Sequence, residues 1–303
     1  MVKRADGRDV RNDLGPFQDG RRPRLVATDM DGTFLNQSGE YDRERFARIL
    51  CAMAESDTRF VVASGNQYYQ LRTFFEGLEE EAGSPPIAYV AENGALVVDD
   101  GLVIDHASLP HDVVKDAWTL LSSREDAECA LCCVSGAYVQ HGTASQGFFD
   151  LMKRYFPRIS WTDDLASLDD VALKFSIETR DGTEDVLSKA VSDSLSGALV
   201  PVVSGNGSVD LMAPGCTKAA GLAILCRRWG LSLDECLAFG DNGNDVEMLA
   251  SVGWGIAMDN AAPDAICAAD ATCPPNTESG VLETLEQIFL DERPGKGAIM
   301  SQL

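Results

Sequence analysis

Basic residues are scarce in this chain. Lysine and arginine total 25 of 303 residues against 48 aspartates and glutamates, which leaves a net charge of −23 and a pI near 4.4. Binding to nucleic acid or to an anionic membrane rests on basic patches, so neither is expected as a partner. The same field repels small anions, and any phosphate site must therefore bring in positive charge locally. Lysine is the rarer source of it, with seven in all. Histidine is scarcer still: His106, His111 and His141 are the whole stock, too thin for a histidine triad or a multi-histidine metal centre. If the chain is an enzyme, its chemistry is expected to run on carboxylates.

Long apolar runs are also missing. No stretch approaches the roughly 18 residues of a membrane span, and residues 1–22 contain no hydrophobic segment of the kind a secretory signal needs. That leader is Arg-rich but interleaved with Asp6, Asp9, Asp13 and Asp19, and is expected to be disordered. A cytoplasmic protein is expected, so the nine cysteines are read as reduced thiols. Cys129, Cys132 and Cys133 are clustered, but no second C-x-x-C completes a zinc site. Buried apolar thiols on a strand are the better reading.

What is present is an ordinary globular composition, 45% hydrophobic and 24% charged. The length implies two domains, or one domain with a large insertion. From Arg24 the chain alternates short apolar runs with helical periodicity. Leu25–Thr28, Phe60–Ala63 and Ile87–Val90 read as buried strands. Residues 42–56 carry Phe46, Ile49, Leu50 and Met53 on one helical face, and residues 67–81 read as a second helix. The rhythm returns near the other end: a helix at 216–229, a strand at Cys236–Phe239, a helix at 243–251, a strand at Trp254–Met258, and helices near 261–269 and 280–290. Between them lie a hairpin about Asp99-Asp100-Gly101, helical segments at 112–122, 145–155 and 183–195, and strand-like runs at 129–134, 137–140, 171–179, 199–203 and 208–212. The fold class is α/β, a doubly wound Rossmann-like parallel sheet interrupted by an inserted α+β module. Residues 23–104 and 214–292 form the expected core, 105–213 the insert, and 293–303 a loose tail.

Four junctions carry candidate chemistry. The first strand ends in Asp29-Met30-Asp31-Gly32-Thr33, and carboxylates spaced i, i+2 at a strand end project to one side. Such a pair divides labour, one attacking while the other moves protons. Ser64-Gly65-Asn66 closes the second strand, where a hydroxyl and free amides can cradle an anion or Ser64 can serve as a plain N-cap. Lys218 opens a helix, an electrostatically unfavourable place for a cation; the bland alternative is a solvated lysine. Gly240-Asp241-Asn242-Gly243-Asn244-Asp245 follows another strand and offers hard oxygen ligands of the kind Mg2+ prefers, or simply a helix-capping turn.

In this order, D-x-D-G-T, S-G-N, K and G-D-x-x-N-D resemble the haloacid dehalogenase superfamily of phosphatases. The insert resembles the type IIB cap of its Cof-like subfamily. Residues 28–36, 60–71 and 91–97 look like the bacterial sugar phosphatases of that subfamily, and the resemblance covers about residues 24–290. It departs at Asn66, where arginine is usual. The resemblance implies Asp29 as the nucleophile that forms an aspartyl-phosphate, and Asp31 as general acid and then base. It implies Ser64 and Lys218 as holders of the phosphoryl oxygens, with Met30 and Gly65 donating backbone amides and Asn244 touching the phosphate. Mg2+ would be held by Asp29, Asp31 through its carbonyl, and Asp241, with Asp245 orienting the metal's waters. The expectation is a Mg2+-dependent phosphatase of small phosphorylated metabolites such as sugar phosphates. A phosphomutase on the same core and a phospho-aspartate signalling module are the alternatives. Tyr138, Trp161 and Lys174 are the candidate specificity residues of the cap; oligomeric state is not legible.

Overall fold

Short apolar runs become the strands of two sheets. The computed structural model describes residues 15–17 and 21–290, apart from Arg180, Asp181, Ser196 and Asn206. In chain order the first strands are β1 (Leu25–Thr28), β2 (Arg59–Ala63), β3 (Ala88–Ala91), β4 (Leu96–Asp99) and β5 (Leu102–His106). Then come β6 (Ala127–Cys133), β7 (Ala137–Gln140), β8 (Ile159–Thr162), β9 (Ala172–Thr179), β10 (Val200–Gly205) and β11 (Ser208–Met212). The last three are β12 (Cys236–Gly240), β13 (Trp254–Met258) and β14 (Ala271–Cys273).

The larger sheet has eight strands in the order β14-β13-β12-β1-β2-β3-β4-β5. It is parallel from β14 to β3, and β4 and β5 join antiparallel. Alternate residues of β1 face opposite ways: Val26 belongs to one apolar cluster, Leu25 and Ala27 to the other. Helices Arg43–Glu55 and Gly280–Phe289 cover the first face, and helix Lys218–Trp229 covers the second. Both faces are therefore buried, which is why the strands read as continuous apolar runs. The second sheet has six strands, β10-β11-β9-β6-β7-β8, antiparallel except for β7 with β8.

The helix Arg43–Glu55 buries the four residues that the periodicity assigned to its inner face, and the Asp42 side chain caps it by accepting from the Arg45 amide at 2.9 Å. Arg45 then grips Glu286 of the C-terminal helix through two bonds, at 2.8 and 2.6 Å. Elsewhere the sequence reading needs correction. The single helix expected over 67–81 is two, Tyr68–Phe75 and Leu78–Ala82, because Gly77 between them is left-handed at φ 77°. Residues 243–251 begin as a 3-10 turn, Gly243–Asp245, before the α-helix Val246–Ser251. Strands β8 and β14 were not foreseen. They are four and three residues long, and Ser160 and Thr272 interrupt the apolar run that marks the other short strands. The hairpin about Asp99–Gly101 extends the large sheet as β4 and β5.

Most of the leader and the tail from Asp291 lie outside the described residues. Gly15–Phe17 is described, as a 3-10 turn with Phe17 buried in the core. All nine cysteines are free, and Cys129, Cys132 and Cys133 are buried on β6, where burial lifts the Cys129 thiol to about 12. Among the described residues no helix is long and apolar enough to cross a membrane.

One glycine is demanded by a close approach. Gly94 follows β3 with φ 96°, and a Cβ there would lie 2.1 Å from the carbonyl oxygen of Thr217. Gly94→Ala combines a left-handed alanine with an overpacked contact, and should lower the unfolding free energy by about 2–5 kcal/mol. A urea titration reads this as a drop in the midpoint, and an unchanged midpoint would refute it.

Candidate active site

β1 lies between β2 and β12 in the sheet. The chain runs outward from β1 to β2 and β3 on one side and from β12 to β14 on the other, so β1 and β12 flank the switch point at which α/β sheets bind ligands. Asp29 follows β1, Ser64 follows β2 and Asp241 follows β12, which brings the three candidate junctions together at one sheet edge. The loop after β1 is pinned from below by Phe34. Its ring packs against Tyr41, Phe46, Phe60 and Phe75 with centroids 4.9–5.9 Å apart. Asp29, Asp31 and Thr33 are thereby held above the sheet by an aromatic anchor one residue farther on.

Lys218 enters from the opposite face. Its helix is capped by Thr217, whose side chain accepts from the Ala220 amide, and it ends at left-handed Gly230. The unfavourable position of a cation at a helix start is offset by two carboxylates. The Lys218 ammonium, 1% exposed, donates to Oδ1 of Asp29 at 2.6 Å and to Oδ1 of Asp245 at 2.7 Å. Burial alone would lower this lysine's pKa, but Asp245 and Asp29 outweigh it and hold the ammonium above the ordinary range. Burial likewise pushes the Asp29 carboxyl well up, against the pull of Lys218. Asp241 is lifted to about 6, chiefly by burial, against the hydrogen bond from Thr33.

Oxygen atoms of Asp29, Asp241 and Asp245 lie within 4.8 Å of one another. Their availability differs. The second oxygen of Asp245 accepts from the amides of Asp241 and Asn242, both at 3.0 Å, so both Asp245 oxygens are engaged. Asp241 accepts from the Thr33 hydroxyl at 2.8 Å through Oδ1. That leaves one oxygen each on Asp29 and Asp241 without a hydrogen bond among the described residues. Hard oxygens crowded this closely, with both free members raised in pKa, suit a small divalent cation.

Asp31 is exposed, and its Oδ2 accepts from the Asn66 side chain at 2.6 Å. Asn66 thus holds a candidate acid, a role that the sequence did not suggest. Its own amide donates to the Ser64 hydroxyl at 3.2 Å. Asn244 donates to Asn93 Oδ1 at 3.0 Å. Asp29, Asp31, Ser64, Gly65, Asp241 and Asn244 all line one cleft of about 410 Å3. The Met30 side chain turns into the core instead, leaving only its backbone near the site. Thr33, Asn93 and Asp210 were missed: nothing about a lone threonine, asparagine or aspartate announces a partner more than a hundred residues away.

The small sheet supplies the far wall. Lys174, Ser176 and Glu178 of β9 and Ser208 and Asp210 of β11 line the cleft together with Tyr155 and Phe156. Of the three cap candidates only Lys174 lines it. Tyr138 donates instead to Asp170 at 3.1 Å, and Trp161 is stacked against His141 and Phe149.

Comparison with known proteins agrees with this architecture. Residues 26–285 match the haloacid dehalogenase-like hydrolase family. A 5-amino-6-(5-phospho-D-ribitylamino)uracil phosphatase of Escherichia coli K12 is 37% identical over 275 residues, 89% of this chain and 98% of its own length. An HMP-PP phosphatase of Escherichia fergusonii is 28% identical over 253 residues, covering 79% and 85% of the two chains. A crystal structure from Streptococcus mutans superposes with a TM-score of 0.80 at 33% identity, over 87% of this chain and 98% of that one. Matched from β1 to the C-terminal helix, this chain belongs to the haloacid dehalogenase-like hydrolases.

Proposed function

We propose that this chain is a Mg2+-dependent phosphatase that hydrolyses the phosphate monoester of a sugar or sugar-derived polyol through an aspartyl-phosphate on Asp29. The coarser part is carried by family: it is a phosphoric monoester hydrolase acting on small phosphorylated metabolites. The observation behind the finer part is the Asp29 carboxylate, fixed 2.6 Å from Lys218 beside Asp241 on the floor of a cleft roofed by the second sheet.

In this reading one oxygen of the Asp29 carboxylate attacks phosphorus. Lys218, the Ser64 hydroxyl, the amides at Met30 and Gly65, and Asn244 meet the equatorial phosphoryl oxygens. Asp31, exposed to the cleft, protonates the leaving oxygen and afterwards takes a proton from water. Asp29, the Asp31 carbonyl and Asp241 would hold Mg2+, while Asp245, with both carboxylate oxygens engaged, stands behind them and keeps Lys218 and the loop in place. Bound there, the metal neutralises charge as the phosphoryl group transfers.

The substrate class draws on the relatives. The 37% identical protein is named for a phosphorylated ribityl chain carrying a uracil ring. The cleft offers serine hydroxyls, Glu178 and the rings of Tyr155 and Phe156, a lining suited to hydroxyl groups and a flat ring. Release of inorganic phosphate from a panel of sugar, polyol and nucleotide monophosphates tests this. Chelation should cut the rate by at least about 100-fold and added Mg2+ should restore it. Full turnover in chelator after dialysis would remove the metal from the mechanism.

A further inference from the structure

The stretch Glu92-Asn93-Gly94 after β3 has no part in the reaction as proposed, yet its backbone is unusual. Glu92 and Asn93 both lie in the left-handed region, at φ 51° and 54°, which non-glycine residues adopt only where their surroundings impose it. Both side chains are buried, and both reach the small sheet. Lys174 of β9, itself 1% exposed, places its ammonium 3.1 Å from Oε2 of Glu92 and 2.8 Å from Oδ2 of Asp210 on β11. The same ammonium donates to the carbonyl of Gly65 at 2.9 Å. Asn93 donates to Asp210 at 2.9 Å and accepts from Asn244 at 3.0 Å. One buried cation thus joins both sheets and touches the Ser64-Gly65 turn that lines the cleft.

We propose that Lys174, with Glu92 and Asp210, is a positioning device for the phosphate site. It seats the small sheet on the core and sets the Ser64-Gly65 turn and the Asn244 amide in the same act. This rests on the reading of Ser64, Gly65 and Asn244 as phosphate-binding groups. Gly65 has little freedom besides: a Cβ there would lie 3.0 Å from Oδ1 of Asn93, so turn and cluster are already in contact. Stability alone is a poor reason for such a cluster, because apolar replacement of a buried ion group is often neutral or stabilising, whereas removal of one member strands a charge. Its value lies in fixing one geometry, since a single ammonium engages Glu92, Asp210 and the Gly65 carbonyl together.

The test compares wild type with Lys174→Met and with the charge-free triple variant Glu92→Gln/Lys174→Met/Asp210→Asn, all with Mg2+. The triple variant leaves no stranded charge and covers the case in which the single variant fails to fold. Turnover of a sugar phosphate, calorimetric binding of inorganic phosphate, and amide hydrogen exchange over residues 63–67 are measured. Both KM and the dissociation constant of phosphate should rise about tenfold, a loss of about 1.4 kcal/mol, while kcat changes by less than about threefold. Exchange over residues 63–67 should accelerate by about tenfold or more. A triple variant that melts like wild type and keeps KM, phosphate affinity and exchange within about twofold overturns the proposal. Calorimetry and exchange read the device without turnover. A wild type that binds phosphate but hydrolyses nothing would overturn the proposed reaction and leave these two readouts to decide the cluster.

Discussion

Asp29→Asn should lower kcat by about 10⁴-fold or more while the protein melts as wild type does. The rate falls because an amide oxygen does not attack phosphorus, and loss of a nucleophile that works within a unit forfeits nearly the whole effect of that unit. The fold survives for reasons visible around the residue. Asparagine has the same shape, its oxygen can still accept from Lys218, and Lys218 keeps Asp245 at 2.7 Å as its counter-charge. Burial already lifts the Asp29 carboxyl well above the usual range, so removal of its charge relieves desolvation rather than adding to it. Phosphate release and thermal melting on the same preparation read both halves. Activity near wild type would mean another nucleophile.

The second large effect separates two leaving groups. A sugar alkoxide needs a proton as it departs, and general acid catalysis is worth about 10²–10⁴-fold. A nitrophenolate leaves readily without one. Asp31→Asn should therefore slow aspartyl-phosphate formation from a sugar phosphate by about 10²–10⁴-fold, and from p-nitrophenyl phosphate by less than about tenfold. Breakdown of the intermediate should slow for both substrates, since the base that activates water is lost as well. Single-turnover mixing resolves the two steps. The hydrogen bond from Asn66 to Asp31 at 2.6 Å gives the experiment its contrast: were Asp31 only a geometric support for that loop, formation of the intermediate would slow equally for both substrates.

How far the site could be read beforehand depended on where each residue stood. Asp29, Ser64 and Asp241 end short apolar runs, and in a parallel sheet the strand ends converge, so position along the chain translated directly into position in space. Lys218 stood out because a cation at a helix start is misplaced unless acids answer it, and Asp29 and Asp245 do. Glu92, Asn93 and Asp210 gave no such sign. Their pairing spans 117 residues between Asn93 and Asp210 and depends on left-handed backbone that no periodicity encodes. Tyr138 and Trp161 stand on β7 and β8. Chemical type alone does not say which face of a strand looks inward, and Asp170, His141 and Phe149 took them. The helix over 67–81 broke for a local reason, the left-handed Gly77.

The central place of β1 also governs when the molecule comes together. Leu25 to Thr28 pair on one side with β2, which follows closely in sequence, and on the other with Cys236 to Phe239. The bond from Thr33 to Asp241 spans 208 residues. During synthesis β1 therefore waits as an unpaired, apolar edge until the last third of the chain emerges, a condition that invites pairing between neighbouring nascent chains. The small sheet has no such wait, because all six of its strands lie between Ala127 and Met212. It can close while the larger sheet is still half made. The roof is complete before the floor. Asp29 and Asp241 do not meet until β12 docks, and a truncated product that stops after Met212 and short of Cys236 would carry a finished lid over a site that has never formed.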